Sequence, residues 1–327
     1  MTLSKLWMNE GEKRLHGSIP TSRAIIAMSL LLIVGFAGGY YMNPLLSPPT
    51  VVWEEDSAWR AESISISGST TVLPIANACA IAFMNKYAGT SITVSGGGSG
   101  RGYSEVIDGV VDIGMASRPP KQKEIDDARK KGVALWLYPI ALDAVCVVVH
   151  PSVNETLKLT LQEVAEIFAG IYTKWSQVKP GLPDEEIYVV VREPGSGTRG
   201  TFEEYVMEPY GYSVTDAAHV RPSNPAVRTT IETTPYSIGY LGYGFITPNM
   251  VVVALAKEEG KPYIYPTIES IASFKYPISR YLYLVTSTRP ESGSLTDRFI
   301  DFILSPEGQE IVEEQGFLKL PKYPSGG

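Results

Sequence analysis

The sequence predicts an α/β fold with largely parallel sheets, carried behind an apolar N-terminal membrane helix. Three observations predict it. Short alternating or fully apolar runs take turns with stretches of helical period along most of the chain. Several strand ends pass through turns rich in Ser, Thr and Gly before a helix starts. One long charge-free run stands near the N-terminus, ahead of everything else.

That run is Ala24 to Met42. At about 1.5 Å per residue it nearly spans a hydrocarbon core of about 30 Å. Lys5, Lys13, Arg14 and Arg23 precede it, and Glu54, Glu55 and Asp56 follow. This bias puts the short N-terminus in the cytoplasm and the rest of the chain outside. An uncleaved signal anchor is the preferred reading; a signal peptide cut after Gly35-Phe36-Ala37 is the alternative. Residues 43–61, with Pro44, Pro48 and Pro49, read as a linker. The remaining length, roughly 265 residues, suffices for one large or two medium domains.

The exported part opens on Ser63 to Ser67, a strict alternation that predicts a strand. After Gly68-Ser69-Thr70-Thr71, the stripe Val72, Ile75, Ala76, Cys79 and Phe83 predicts a helix. Ser91 to Ser95 alternates again and runs into a glycine-rich turn, Gly96 to Gly102, with a helix to about Asp108. Val111 to Gly114 is a short strand, ended by Ser117-Arg118-Pro119-Pro120, and Lys121 to Lys131 is a charged helix. Ala144 to Val149 is continuously apolar, as a strand buried on both faces requires. Leu161 to Ala169 is helical and Ile187 to Val191 is a strand. The latter leads through Arg192-Glu193-Pro194-Gly195-Ser196-Gly197-Thr198-Arg199 into a helix ending at Met207. Tyr281 to Thr286 is a late strand. A helix runs from Thr296, and Ser305-Pro306-Glu307 starts another with a cap, a Pro at the first position and an acid in the first turn.

Composition narrows the function. Hydrophobic residues make up 44%, charged residues 19%, and the formal net charge is −7. That is a globular chain, and its acidic balance argues against nucleic acid as a partner. Any anion site must be built locally, since the overall field repels anions. Cys79 and Cys146 lie in apolar runs and read as buried small hydrophobes, with a disulfide as the alternative that their spacing does not support. His16, His150 and His219 are scattered without metal-ligand spacing, so no metal or cofactor is expected.

The four turns Gly68–Thr71, Gly96–Gly102, Ser117–Pro120 and Gly195–Thr198 share one chemistry. Each sets unpaired backbone N–H groups and hydroxyl donors at a helix N-terminus, where the helix dipole favours negative charge. Ordinary capping explains any one of them; their joint occurrence points to a small anion held where two sheets face each other. A P-loop and a nucleophile elbow are absent, and spatial pairing of these serines with His150 or His219 stays open.

These motifs carry a family resemblance. Ile66 to Pro74, Val94 to Gly100, Asp112 to Pro119 and Arg192 to Arg199 closely resemble the phosphate-binding proteins of ABC transporters, and Tyr276-Pro-Ile-Ser-Arg280 and Leu304 to Gln309 resemble later segments of that family. The likeness covers roughly residues 62–320. It implies a two-lobed type II periplasmic-binding-protein fold with a hinge of two crossover segments and the ligand between the lobes. Lobe I would comprise residues 62–142 and 274–327, and lobe II residues 143–273. Carried across by motif, Ser69, Thr70, Thr71, Ser99 and Ser117 would donate from lobe I. Arg192, Ser196, Gly197 and Thr198 would donate from lobe II. Some members carry an Asp just after the third strand, where this chain has Ser117-Arg118. The resemblance then makes Asp143 the acceptor of the proton that phosphate has and sulfate lacks, with a helix-cap or polar hinge role as the alternative. On the acceptor reading, bound sulfate would leave a buried carboxylate unpaired. Arg118 either binds the anion or pairs with an acid at the lobe interface. Arg101 and Arg199 read as rim charges.

The resemblance therefore implies a monomeric, non-enzymatic receptor that captures inorganic phosphate outside the membrane and hands it to a permease. A hydrolase would need a nucleophile with its base, or a metal cluster. A receptor for sulfate or molybdate, or a tethered sensor or adhesion module on the same scaffold, is the alternative.

Overall fold

The computed structural model describes residues 58–321. The expected membrane helix, 24–42, and residues 43–57 of the expected linker lie outside these residues; the linker's expected end, Ala58–Ala61, is a 3-10 helix with Trp59 buried. Among those described, no helix is long and apolar enough to cross a membrane.

The first lobe begins with β1 (Ser63–Gly68), α1 (Leu73–Lys86), β2 (Ser91–Gly96), α2 (Ser99–Ile107), β3 (Ile113–Ala116) and α3 (Gln122–Lys130). The predicted stripe residues Ile75, Ala76, Cys79 and Phe83 form the buried face of α1 together with Ala80, and Val72 stands just before the helix. Phe83 meets Phe299 and Phe302 edge-on at 5.7 and 5.4 Å. Those two rings come from α9 (Leu295–Leu304), which follows β11 (Ser279–Thr286) late in the chain. Ser305 then closes α9 and caps α10 (Pro306–Glu314), accepting from the Gly308 N–H at 3.2 Å.

Between these parts lies the stretch expected to form lobe II. It holds β5 (Lys158–Thr160), α4 (Leu161–Phe168), α5 (Trp175–Val178), β6 (Tyr188–Arg192) and α6 (Gly197–Phe202). The chain continues as a π turn over Glu203–Met207, where the sequence pattern predicts plain helix. Then follow β7 (His219–Arg221), α7 (Asn224–Thr233), β8 (Ser237–Gly242), β9 (Val251–Val252), β10 (Ala254–Ala256) and α8 (Ile268–Ala272). Its centre is aromatic: Phe202 stacks on Tyr240 at 4.1 Å, and Phe168 tilts against both.

One long strand carries the chain from the first part into the second. β4 (Trp136–Val149) pairs with β11 along Trp136–Ala144, then with β8 along Val145–Val149. The main sheet path is β2-β1-β3-β11-β4-β8-β6-β7. Its outer strands are parallel, as predicted, but β11 and β4 run antiparallel to their neighbours. Only the second half of β4 was expected as a strand. Pro139 argues against a central strand, because it donates nothing to the ladder. The register shift between Leu282 and Tyr283, opposite Pro139 and Ala141, absorbs it.

Both cysteines are buried and free. Burial pushes the Cys79 thiol up to about 12 and the Cys146 thiol well above its ordinary value. Native protein at neutral pH should therefore give no reaction with a thiol reagent, and denatured protein should titrate both. A native thiol that reacts at once would contradict this packing.

Candidate functional site

The four turns expected to hold an anion converge. In lobe I, the Gly98 N–H donates to the Gly68 carbonyl at 2.8 Å and the Ser69 N–H to the Met115 carbonyl at 2.8 Å, locking three strand ends together. Across the cleft, the Gly100 N–H donates to the Gly195 carbonyl at 3.0 Å. Thr71 Oγ1 lies 3.0 Å from Thr198 Oγ1, and the Thr201 hydroxyl reaches the Ser117 carbonyl at 3.4 Å.

Local rules set what each turn presents. The Ser69 hydroxyl accepts from the N–H groups of Thr71 and Val72, at 3.2 and 3.4 Å, and so starts α1. The Ser196 hydroxyl caps α6 by accepting from the Arg199 N–H at 3.2 Å. The hydroxyls of Ser99 and Ser117 lie 3.3 Å apart, and Ser99 also accepts from the Ser117 N–H at 3.0 Å. Gly98 turns with φ of 89°, and a side chain there would meet the Gly195 carbonyl at 3.0 Å.

Three buried arginines surround these turns, each matched to its own carboxylate. Arg192, at the end of β6, binds Glu193 through Nε and Nη2, both at 2.9 Å. Its Nη1 donates to Asn224 Oδ1 at 3.0 Å, and Nη2 reaches Thr70 Oγ1 across the cleft at 2.9 Å. Asn224 Nδ2 in turn donates to Thr71 Oγ1 at 2.8 Å. Arg280 donates to Asp143 Oδ2 through Nε and Nη2, at 2.9 and 2.7 Å, and Nη2 also reaches Thr198 Oγ1 at 3.1 Å. Burial pulls this guanidinium below its ordinary value, and the Asp143 carboxylate works against that pull. Arg118 grips Glu124 through Nη1 and Nη2, both at 2.7 Å.

The chain is similar to known proteins in sequence and fold. The PBP superfamily domain matches residues 54–307. The phosphate-binding protein PstS of Borreliella burgdorferi is 32% identical over 265 residues, covering 78% of this chain and 89% of that protein. PstS of Bacillus subtilis is 32% identical over 257 residues, covering 78% and 80%. A Clostridium perfringens protein, assigned as a phosphate ABC transporter substrate-binding protein and solved with bound phosphate, superposes with a TM-score of 0.69 at 32% identity, covering 80% of this chain and 100% of its own. The chain belongs to the phosphate-binding proteins of this superfamily.

Within that family frame, the structure pairs Arg118 with an acid, one of the two readings left open, and changes the surroundings expected for Asp143. Arg118 lies beside Gly200 of α6 and pairs with an acid, Glu124, whose carboxylate also accepts the Lys121 N–H at 2.7 Å at the start of α3. Its guanidinium also stacks over Tyr103 at 5.3 Å. Asp143 is not a lone acceptor. Arg280 holds one oxygen and the Tyr243 N–H holds the other at 2.9 Å. A bound sulfate would therefore not leave this carboxylate unpaired, as the simple selectivity argument required. Arg101 and Arg199 pair with Glu105 and Glu203 one turn along their helices.

Two family-site neighbours were missed. Arg280 stood in a recognised segment, on the same strand face as Leu282 and Leu284, both buried. A charge on a buried strand face was the available signal. Asn224 offered less: it follows the cap Ser223 and precedes Pro225, which reads as an ordinary helix start. His150 bonds to Ser152 and His219 stacks on Tyr188, so neither activates a site serine. Among the described residues no cluster of metal ligands occurs.

Proposed function

We infer that this protein captures inorganic phosphate on the extracytoplasmic side of a membrane and delivers it to an ABC transporter permease. The observation that carries the reading is the meeting of four Ser/Thr/Gly turns, with Arg192 bonded to Thr70 of one of them, in a chain that is 32% identical to a relative solved with bound phosphate. The hydroxyls of Thr70, Thr71, Ser99, Ser117, Ser196 and Thr198 and the Gly197 N–H are the proposed donors. Arg192 would turn its Nη1–Nη2 edge to two phosphate oxygens in place of Asn224 and Thr70. Ser69 and Arg118 hold the turns in place.

Lobe I is proposed as residues 62–142 and 274–327, and lobe II as 143–273. The two would swing about β4 and β11. A monomer tethered by helix 24–42 would keep the captured anion close to its permease. The protein is a binding protein, not an enzyme.

Calorimetric titration tests the reading directly. One phosphate per chain is expected, bound more tightly than sulfate or molybdate. No phosphate binding at about 1 mM would overturn it. Tighter binding of sulfate or molybdate would assign the cleft to that oxyanion instead.

A further inference from the structure

We propose that Arg280 is a direct ligand of the captured anion, with Asp143 as the residue that positions it. The proposal rests on the phosphate reading above and extends it to the hinge.

The backbone builds the pair. Asp143 and Arg280 stand opposite each other in the antiparallel register of β4 and β11. The Asp143 side chain is fully buried and that of Arg280 is 5% exposed. A guanidinium is planar, with three N–H edges. The Nε–Nη2 edge is taken by Asp143 Oδ2. The Nη1–Nη2 edge is half used: Nη2 donates to Thr198 Oγ1 at 3.1 Å, while Nη1 is buried and has no acceptor among the described residues. Thr198 Oγ1 is also 3.0 Å from Thr71 Oγ1. The unpaired N–H groups therefore lie on the edge that faces the meeting point of two anion-binding turns. Buried donors are rarely left without a partner, and an oxyanion bonded to Thr198 would supply one.

Asp143 gains a different role from that assigned by resemblance. It fixes the plane of the guanidinium before the anion arrives, so little ordering remains to be done on binding. It also neutralises Arg280, which lets a cation sit fully buried at the hinge. Because Arg280 lies on one hinge strand and touches Thr198 of lobe II, the anion would bond to the hinge as well as to both lobes.

Phosphate titrations of the full chain should compare wild type with the Arg280→Gln/Asp143→Asn double variant. That variant keeps hydrogen-bonding side chains of similar size and removes both buried charges together. An affinity about 10- to 100-fold weaker is expected. Equal affinity in a folded double variant would overturn the assignment. Should it fail to fold, Arg280→Lys preserves the ion pair and lacks Nη1; wild-type affinity there overturns the proposal equally. Arginine side-chain NMR gives a readout that a purely structural pair would not move. On addition of inorganic phosphate the Arg280 Nη protons should shift and exchange more slowly, and unchanged signals count against the proposal. If wild type binds no phosphate, the phosphate reading fails by itself. The comparison then passes to whichever of arsenate, sulfate or molybdate wild type binds, and binding of none sinks both.

Discussion

Gly197→Ala is expected to weaken phosphate binding by about 5- to 150-fold while leaving the thermal midpoint nearly unchanged. Gly197 opens α6 in lobe II. A Cβ built there would stand 2.1 Å from Ser99 Oγ and 2.4 Å from Ser117 Oγ, far inside contact distance. Ser99 starts α2, and Ser117 follows β3, both in lobe I. The collision is thus across the cleft and not within either lobe. Parting the lobes relieves it, so the fold is spared and the apposed arrangement is penalised. Overpacking of this kind costs about 1–3 kcal/mol, which converts to the stated range. Gly100→Ala is the matched control: its Cβ would meet Gly195 at 3.4 Å, an ordinary contact, and affinity should change little. Calorimetry with a parallel thermal melt decides the matter. Wild-type affinity in Gly197→Ala would show that the cleft need not close this tightly around its anion.

What could be read from the chain alone divides along a physical line. Local signals carried well: the alternation at Ser63 to Ser67 became β1, and Ser305-Pro306-Glu307 became the start of α10. Each depends only on neighbours within a turn. The four turns were legible as anion-suited because their chemistry is also local. Their convergence was not, since it depends on how β4 changes partner between Ala144 and Val145. The same limit explains the arginines. Glu124 lies six residues from Arg118, yet only the bend and the start of α3 bring them together. Asp143 and Arg280 are separated by 137 residues and meet through strand register, so neither could name the other. Short elements such as β7 and β9 were invisible because two or three residues hold no measurable period.

Arg192→Lys is expected to lose about 100-fold or more in phosphate affinity, nearly as much as Arg192→Ala. If charge alone mattered, lysine would keep most of the affinity, since the carboxylate partner Glu193 is adjacent. The structure argues for shape instead. Arg192 spends one planar fork on three partners in three directions: Glu193, Asn224 and Thr70. A lysine ammonium is a compact point charge: it cannot hold that arrangement, nor offer two phosphate oxygens a planar pair of N–H groups when Asn224 and Thr70 give way. Each hydrogen bond to a charged group contributes about 1.5–3 kcal/mol, so the loss of two reaches the stated factor. The fold should suffer less. The Glu193 side chain is 23% exposed and can recover water. Asn224 is fully buried, but its Oδ1 also faces the Gly242 N–H at 3.4 Å. A drop of a few degrees in thermal midpoint is expected, about 2–4 °C per kcal/mol lost. Affinity within about threefold of wild type in Arg192→Lys would mean that the site reads charge and not the fork, and the proposed bidentate contact would have to be abandoned.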